Sequence, residues 1–189
     1  LFGIDRERVE KLYLYYTIQN GVADSGTMTL PVFVDYVLNS VAANETYGSM
    51  VSASAIASLR QLQTYTNTNT VLAARSAADL AALIGAGEST VNTVFILDNA
   101  GDVSAQTMSL PEFSSFLCGS LLQDALFSTY FDDAAKAQAQ TMDALVQLAV
   151  SGQGLPPDQM AQTLGMDAES VSKLYSLYFS ADPAFQKEA

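Results

Sequence analysis

Apolar residues along this chain recur at three- and four-residue spacings, and the resulting pattern is written twice. Met28, Leu30, Pro31 and Phe33 return 80 positions later as Met108, Leu110, Pro111 and Phe113. Leu83-Ile84-Gly85 returns as Thr163-Leu164-Gly165, and Val91 returns as Val171, at the same offset. A fixed period of this length marks one supersecondary unit stacked on its own copy. It points to a structural or binding array before it points to an enzyme.

The spacing predicts helices throughout. Residues 5–20 carry Val9, Leu12, Tyr13 and Tyr16 on one helical face, with Asp5 as N-cap. A second helix opens at Thr29 or Leu30, with Pro31 in its first turn, where a missing N–H costs nothing. Its counterpart is more strongly written, because Ser109-Leu110-Pro111-Glu112 spells a capping box. Helices are expected over 52–65, with Ile56, Leu59 and Leu62 on one face, and over 132–150, where Asp132 and Asp133 suit the positive helix start. The stretches Thr66–Thr70 and Ser151–Gly154 read as turns. Short helices over 76–84 and 156–164 stop at Gly85 and Gly165, each placed for a left-handed C′ residue. Helices over 89–98 and 167–180 follow. No strand-like alternation competes at comparable length.

Lys11-Leu12-Tyr13, Thr93-Val94-Phe95 and Lys173-Leu174-Tyr175 occupy equivalent positions, so the helix near 89–98 closes one unit and opens the next. The expected fold is all-α: two tandem copies of a multi-helix unit of ~80 residues with helix-turn-helix-like corners, packed as one body. The expected units are residues 1–98 and 89–189. A start at Leu1, with no initiator Met or signal peptide, reads as a piece of a longer protein.

Charge narrows the partners. Twenty acidic and eight basic side chains give a net charge of −12. That sign argues against a nucleic-acid backbone or an anionic lipid surface. Hydrophobic residues make up 49%, enough for a packed core, but no apolar run reaches the ~18 residues of a membrane span. Direct membrane insertion by this segment is therefore not expected. Cys118 is the only cysteine, so no disulfide forms within the chain, and its place in Phe116-Leu117-Cys118 reads as a small core residue.

Three constellations look like chemistry. Asp98-Asn99-Ala100-Gly101-Asp102, ahead of Glu112-Phe113, resembles a helix–loop–helix calcium site, but the spacing fails. With Glu112 as twelfth ligand, positions one, three and five fall on Gly101, Val103 and Ala105, none of which offers a side-chain oxygen. Residues 79–91 and 159–171 read like helix-turn-helix corners, yet the second helices carry Glu88, Asp167 and Glu169 against the single base Lys173. Duplex binding needs several phosphate contacts, so no nucleic acid is expected as partner. The aromatic series is core by its spacing, except that adjacent rings cannot share one stripe. Tyr15 with Tyr16, and Tyr178 with Phe179, are therefore candidate contacts with a neighbouring domain. The chain has no histidine, no Gly-rich phosphate loop and no metal-ligand spacing. Catalytic residues, cofactor and metal are accordingly all expected to be none.

The element Met108-Ser109-Leu110-Pro111-Glu112-Phe113-Ser114-Ser115-Phe116-Leu117, and Met160 to Gly165 followed by Val171 to Tyr178, resemble a recurring helical segment of membrane exporters. These are exporters of Gram-positive anaerobes in the resistance-nodulation-division superfamily, mycobacterial-membrane-protein-large (MMPL) branch. The resemblance implies a non-catalytic extracytoplasmic helical insert of a proton-driven exporter at the cell membrane, with the relay and spans elsewhere. It implies as partner the rest of the parent membrane protein or a cell-envelope protein, and it carries over no functional residue. The other reading is a soluble acidic helical adaptor or binding module of the cell surface, with no transporter attached. Arg60 and Arg75 face Gln140 and Leu155 at the 80-residue offset, so the two copies need not have one role.

Overall fold

The computed structural model describes residues 26–45, 47–99 and 107–180, and these are mostly helical. In chain order the elements are β1 (Met28–Thr29), α1 (Leu30–Tyr36), α2 (Ala53–Thr66), α3 (Thr68–Val71), β2 (Arg75–Ser76), α4 (Ala77–Ile84) and α5 (Glu88–Asp98). They continue as β3 (Thr107–Met108), α6 (Leu110–Gly119), α7 (Asp133–Ser151), β4 (Gly154–Leu155), α8 (Pro157–Leu164) and α9 (Ala168–Ser180). A π turn, Val37–Val41, extends α1, and 3-10 turns lie at Gly48–Met50, Leu121–Gln123 and Phe127–Tyr130. The predicted helix over 5–20 lies outside the described residues. Among those described, no single helix is long and apolar enough to cross a membrane. The chain divides into two compact units, residues 1–63 with 153–189 (unit 1) and residues 64–152 (unit 2).

In unit 1, β1 pairs antiparallel with β4, Met28 opposite Leu155 and Thr29 opposite Gly154. Thr29 is extended and Pro31 sits in the first turn, so α1 starts where an absent N–H leaves no bond unmade. Leu30, Phe33, Val34, Val37 and Val41 then follow helical spacing into the core, all fully buried. Helix α8 ends on Gly165 at φ 62°, a left-handed turn that carries the Met166 N–H back to the Ala161 carbonyl at 3.0 Å. Asp167 then caps α9 by accepting from the Ser170 N–H at 2.8 Å. The inner face of α9 is Val171, Leu174, Tyr175 and Leu177.

Unit 2 is likewise helical, with one short strand pair. Strands β2 and β3 pair antiparallel, Arg75 opposite Met108 and Ser76 opposite Thr107. A reciprocal cap opens α4. The Asp79 N–H donates to Ser76 Oγ at 3.2 Å, and Asp79 Oδ2 accepts from the Ser76 N–H at 3.3 Å. Gly85, at φ 67°, ends α4, and the chain turns through 117° into α5. Helix α7 starts on Asp132, which accepts from the Ala135 N–H at 2.7 Å. Its inner stripe is Ala135, Ala139, Met142, Leu145, Val146 and Ala149, and α6 packs along it.

Some residues 80 apart are buried alike, whereas Tyr36 and Phe116, and Ile84 and Leu164, are not. Leu30 and Leu110, Phe33 and Phe113, Leu80 and Met160, Val91 and Val171, and Phe95 and Tyr175 are all fully buried. The strand pairing then cuts across the period. Unit 1 joins β1–α1 to β4–α8–α9, whereas unit 2 joins β2–α4–α5 to β3–α6. The expected units, 1–98 and 89–189, follow the sequence period; the compact units follow a pairing of strands that periodicity does not reveal. Each strand is two residues long, too short to display any alternation.

Candidate functional site

The loop that resembles a calcium site leads from α5 through β3 into α6. Glu112 Oε2 accepts from the Ser109 N–H at 3.0 Å and from the Ser109 hydroxyl at 2.6 Å. The hydroxyl, then the N–H, hold the Glu112 carboxyl below the usual carboxylate range. Asp98, Asn99, Thr107 and Glu112 line an open cleft of about 470 Å³. Residues 100–106 lie outside the described residues, and among those described no group of three or more His, Cys, Asp or Glu side chains is placed to hold a metal ion. The geometry of Glu112 is that of a helix cap. A depressed carboxyl pKa stabilises the fold above the unfolded value, and that gain is lost as pH falls through the folded pKa. Losing this cap, Glu112→Ala should lower stability at neutral pH by less than about 1 kcal/mol, because the exposed carboxylate is screened by solvent. In urea titrations the difference from wild type should shrink under acid conditions, once the wild-type carboxyl is protonated.

The two helix-turn-helix-like corners share a helix length and a glycine stop. In each, an eight-residue helix ends on a left-handed glycine before the second helix, α5 or α9. Charge at the start of α9 is committed locally. Lys173 Nζ lies 2.7 Å from Glu169 Oε1, and Asp167 holds both the N–H and the hydroxyl of Ser170. Serines 49, 52, 54, 58 and 170, with Asp167, rim an open cleft of about 530 Å³ in unit 1, floored by Met50, Val51 and Met166.

Of the candidate contact residues, Tyr15 and Tyr16 lie outside the described residues. Tyr178 and Phe179 are on the last turns of α9, within an aromatic chain in unit 1. Phe33 and Tyr175 have ring centroids 5.7 Å apart, and Tyr36 meets Tyr178 edge to face at 4.9 Å. Phe179 leans on Tyr175 at 6.2 Å and on Tyr178 at 5.2 Å, and stays 39% exposed. Tyr178 is half-buried, so Phe179 carries the outward part of the pair.

Tyr175 is fully buried, and its hydroxyl donates to the Leu155 carbonyl at 2.8 Å. That bond ties α9 to β4. Burial pushes the Tyr175 phenol up to about 12, opposed by a backbone hydrogen bond and reinforced by Asp158. Tyr36 is raised as well, first by burial and then by Tyr47 and Tyr178. For a phenol raised in the fold, the folded state holds the proton longer than the unfolded chain. Its stabilising share is complete below the unfolded pKa of about 10 and is lost as pH rises through about 12. Phenolate absorbance should thus show Tyr36 and Tyr175 ionising only as near-ultraviolet circular dichroism collapses.

Cys118 is half-buried, and burial, then Asp143, push its thiol up to about 11, which keeps it a thiol at neutral pH. Arg75, which has no basic counterpart at position 155, points its guanidinium at the Thr64 and Thr70 carbonyls, 3.5 and 3.3 Å away, near the end of α2. One segment, residues 120–131, has no element expected from the sequence. It connects α6 to α7 through two 3-10 turns, and Leu126 and Tyr130 stand 65% and 61% exposed on it. Adjacent apolar residues without helical period do not reveal where they point. Comparison with known proteins gives no match: no family model, curated protein or solved structure is significantly similar to this chain.

Proposed function

We propose that this chain is a non-catalytic extracytoplasmic helical domain of a membrane exporter of the MMPL type, acting as a structural or protein-interaction arm built from two copies of one ~80-residue unit. The observation that carries the non-catalytic reading is the use made of its carboxylates. Asp79, Glu112, Asp132 and Asp167 each hold a backbone N–H at or beside the start of a helix. The fixed 80-residue period of buried positions supports an array-like body suited to holding partners in place. The exporter assignment rests on the resemblance of residues 108–117 and 160–178 alone. Its partner in this reading is the porter region of the parent protein or another envelope protein, which Phe179 and Tyr178 would meet.

The test is an in-frame deletion of residues 1–189 from the parent gene, with export and complex assembly measured. Loss of either, with the remaining protein still inserted in the membrane, supports the arm. Unchanged export and assembly would sink it, as would a parent gene that encodes no hydrophobic spans, which would favour the cell-surface adaptor instead.

A further inference from the structure

We propose that the shelf formed by residues 124–131 of unit 2 docks a basic, amphipathic segment of a partner protein. The proposal deepens the reading of the chain as an interaction arm by naming a surface and the chemistry of what it takes. The shelf is a built structure. Asp124 Oδ1 accepts from the N–H groups of Leu126 at 2.8 Å and Phe127 at 3.1 Å. Beyond it, the Thr129 hydroxyl donates to the Leu126 carbonyl at 2.6 Å, and the Ser128 N–H donates to the Asp124 carbonyl at 3.0 Å. Leu121 and Phe131 anchor both ends in the core. A segment fastened in this way holds Leu126 and Tyr130 in water, where association recovers the apolar area that folding left exposed.

Shape limits the occupant. The Phe127 and Tyr130 rings, tilted with centroids 6.4 Å apart, face Thr93 and Leu97 of α5 across a groove of only about 10 Å³. That is far too small for a small-molecule ligand. Contact is made on the rim, by side chains laid across Leu126 and Tyr130.

Charge then selects among the segments that would fit. The elements that form the groove and run into it carry Glu88, Asp98, Asp124, Asp132 and Asp133. Lys136, on α7, lies 3.6 Å from Asp133. Residues 64–152 as a whole hold nine acidic side chains and two basic ones. A Lys- or Arg-bearing segment is steered to such a face, and its cations are further attracted to the exposed ring of Tyr130. Acidic segments, nucleic acids and anionic membranes are repelled.

The experiment uses the full chain and two synthetic helical peptides of equal length, one of Lys and Leu, the other of Glu and Leu. Binding is followed by fluorescence anisotropy, and the site by NMR shifts. The Lys/Leu peptide should bind, move the resonances of Leu126, Phe127 and Tyr130, and weaken as salt rises. L126S/Y130S, whose side chains are exposed and whose fold is checked by circular dichroism, should bind roughly tenfold more weakly. Equal binding by wild type and L126S/Y130S would reduce the attraction to diffuse charge and overturn the proposal. Equal binding of the Glu/Leu peptide would overturn its charge argument. Concentration-dependent self-association abolished by L126S/Y130S would make a second copy the occupant instead. The deletion experiment on the parent protein is independent of these outcomes, so the shelf and the exporter reading fail separately.

Discussion

Phe113→Ala should destabilise unit 2 by about 3–5 kcal/mol, one of the largest effects expected of a single substitution in this chain. Phe113 has no exposed surface and projects from the first turn of α6. Truncation removes the ring's transfer free energy and leaves a cavity. Helix α6 cannot easily collapse into it, because β3 pairs with β2 on one side and α6 packs along α7 on the other. Phe33→Ala, 80 residues earlier, removes an equally buried ring from unit 1. Urea unfolding should give the two variants comparable losses. A loss below about 1 kcal/mol for either would mean that its site relaxes freely, contrary to the packing described. Paired large losses would also show that the 80-residue period registers energetic equivalence as well as sequence pattern.

Tyr175→Ala should cost a similar amount in unit 1, about 3–5 kcal/mol, for two separable reasons. The ring contacts Phe33 and Phe179, with centroids 5.7 and 6.2 Å away, and the hydroxyl satisfies the Leu155 carbonyl. Tyr175→Phe separates them. It keeps the ring and removes the donor from the buried carbonyl, so it should lose about 1–3 kcal/mol. The same variant should abolish the part of the alkaline transition that belongs to this phenol, leaving that of Tyr36. If Tyr175→Phe matched wild type in both stability and alkaline titration, the hydroxyl would have no part in holding β4 to α9. Unit 1 also contains the proposed contact pair Tyr178 and Phe179, so export assays on Tyr175 variants must be interpreted alongside their stability.

Much of this architecture is legible in the order of the amino acids. Pro31 and Pro111 mark helix starts because only there is a missing N–H harmless. Gly85 and Gly165 mark helix ends because a left-handed residue suits glycine. Glu112 as a cap follows from its three-residue distance to Ser109. The adjacent aromatics Tyr178 and Phe179 are recognisable as unable to share one stripe, though adjacency does not say which of them turns outward. The shelf at residues 124–131 leaves no such mark, since its direction comes from Asp124 folding a turn beneath Leu126, a local bond with no periodic trace.

The sequence by itself determined most of the described helices, the starts at Pro31 and Pro111, the stops at Gly85 and Gly165 and the acidic character of the chain; Thr66–Thr70 reads as a turn, where the structure has the short helix α3 at Thr68–Val71. The helices so determined follow from backbone hydrogen bonding and from the segregation of apolar side chains, both of which act over a few residues. Only the tertiary structure decided which pieces belong together: β1 with β4, and β2 with β3. Two-residue strands have no period to read, and their partners lie far along the chain. The choice of partner strand is made in the folded chain, where Met28 lies opposite Leu155 and Met108 opposite Arg75.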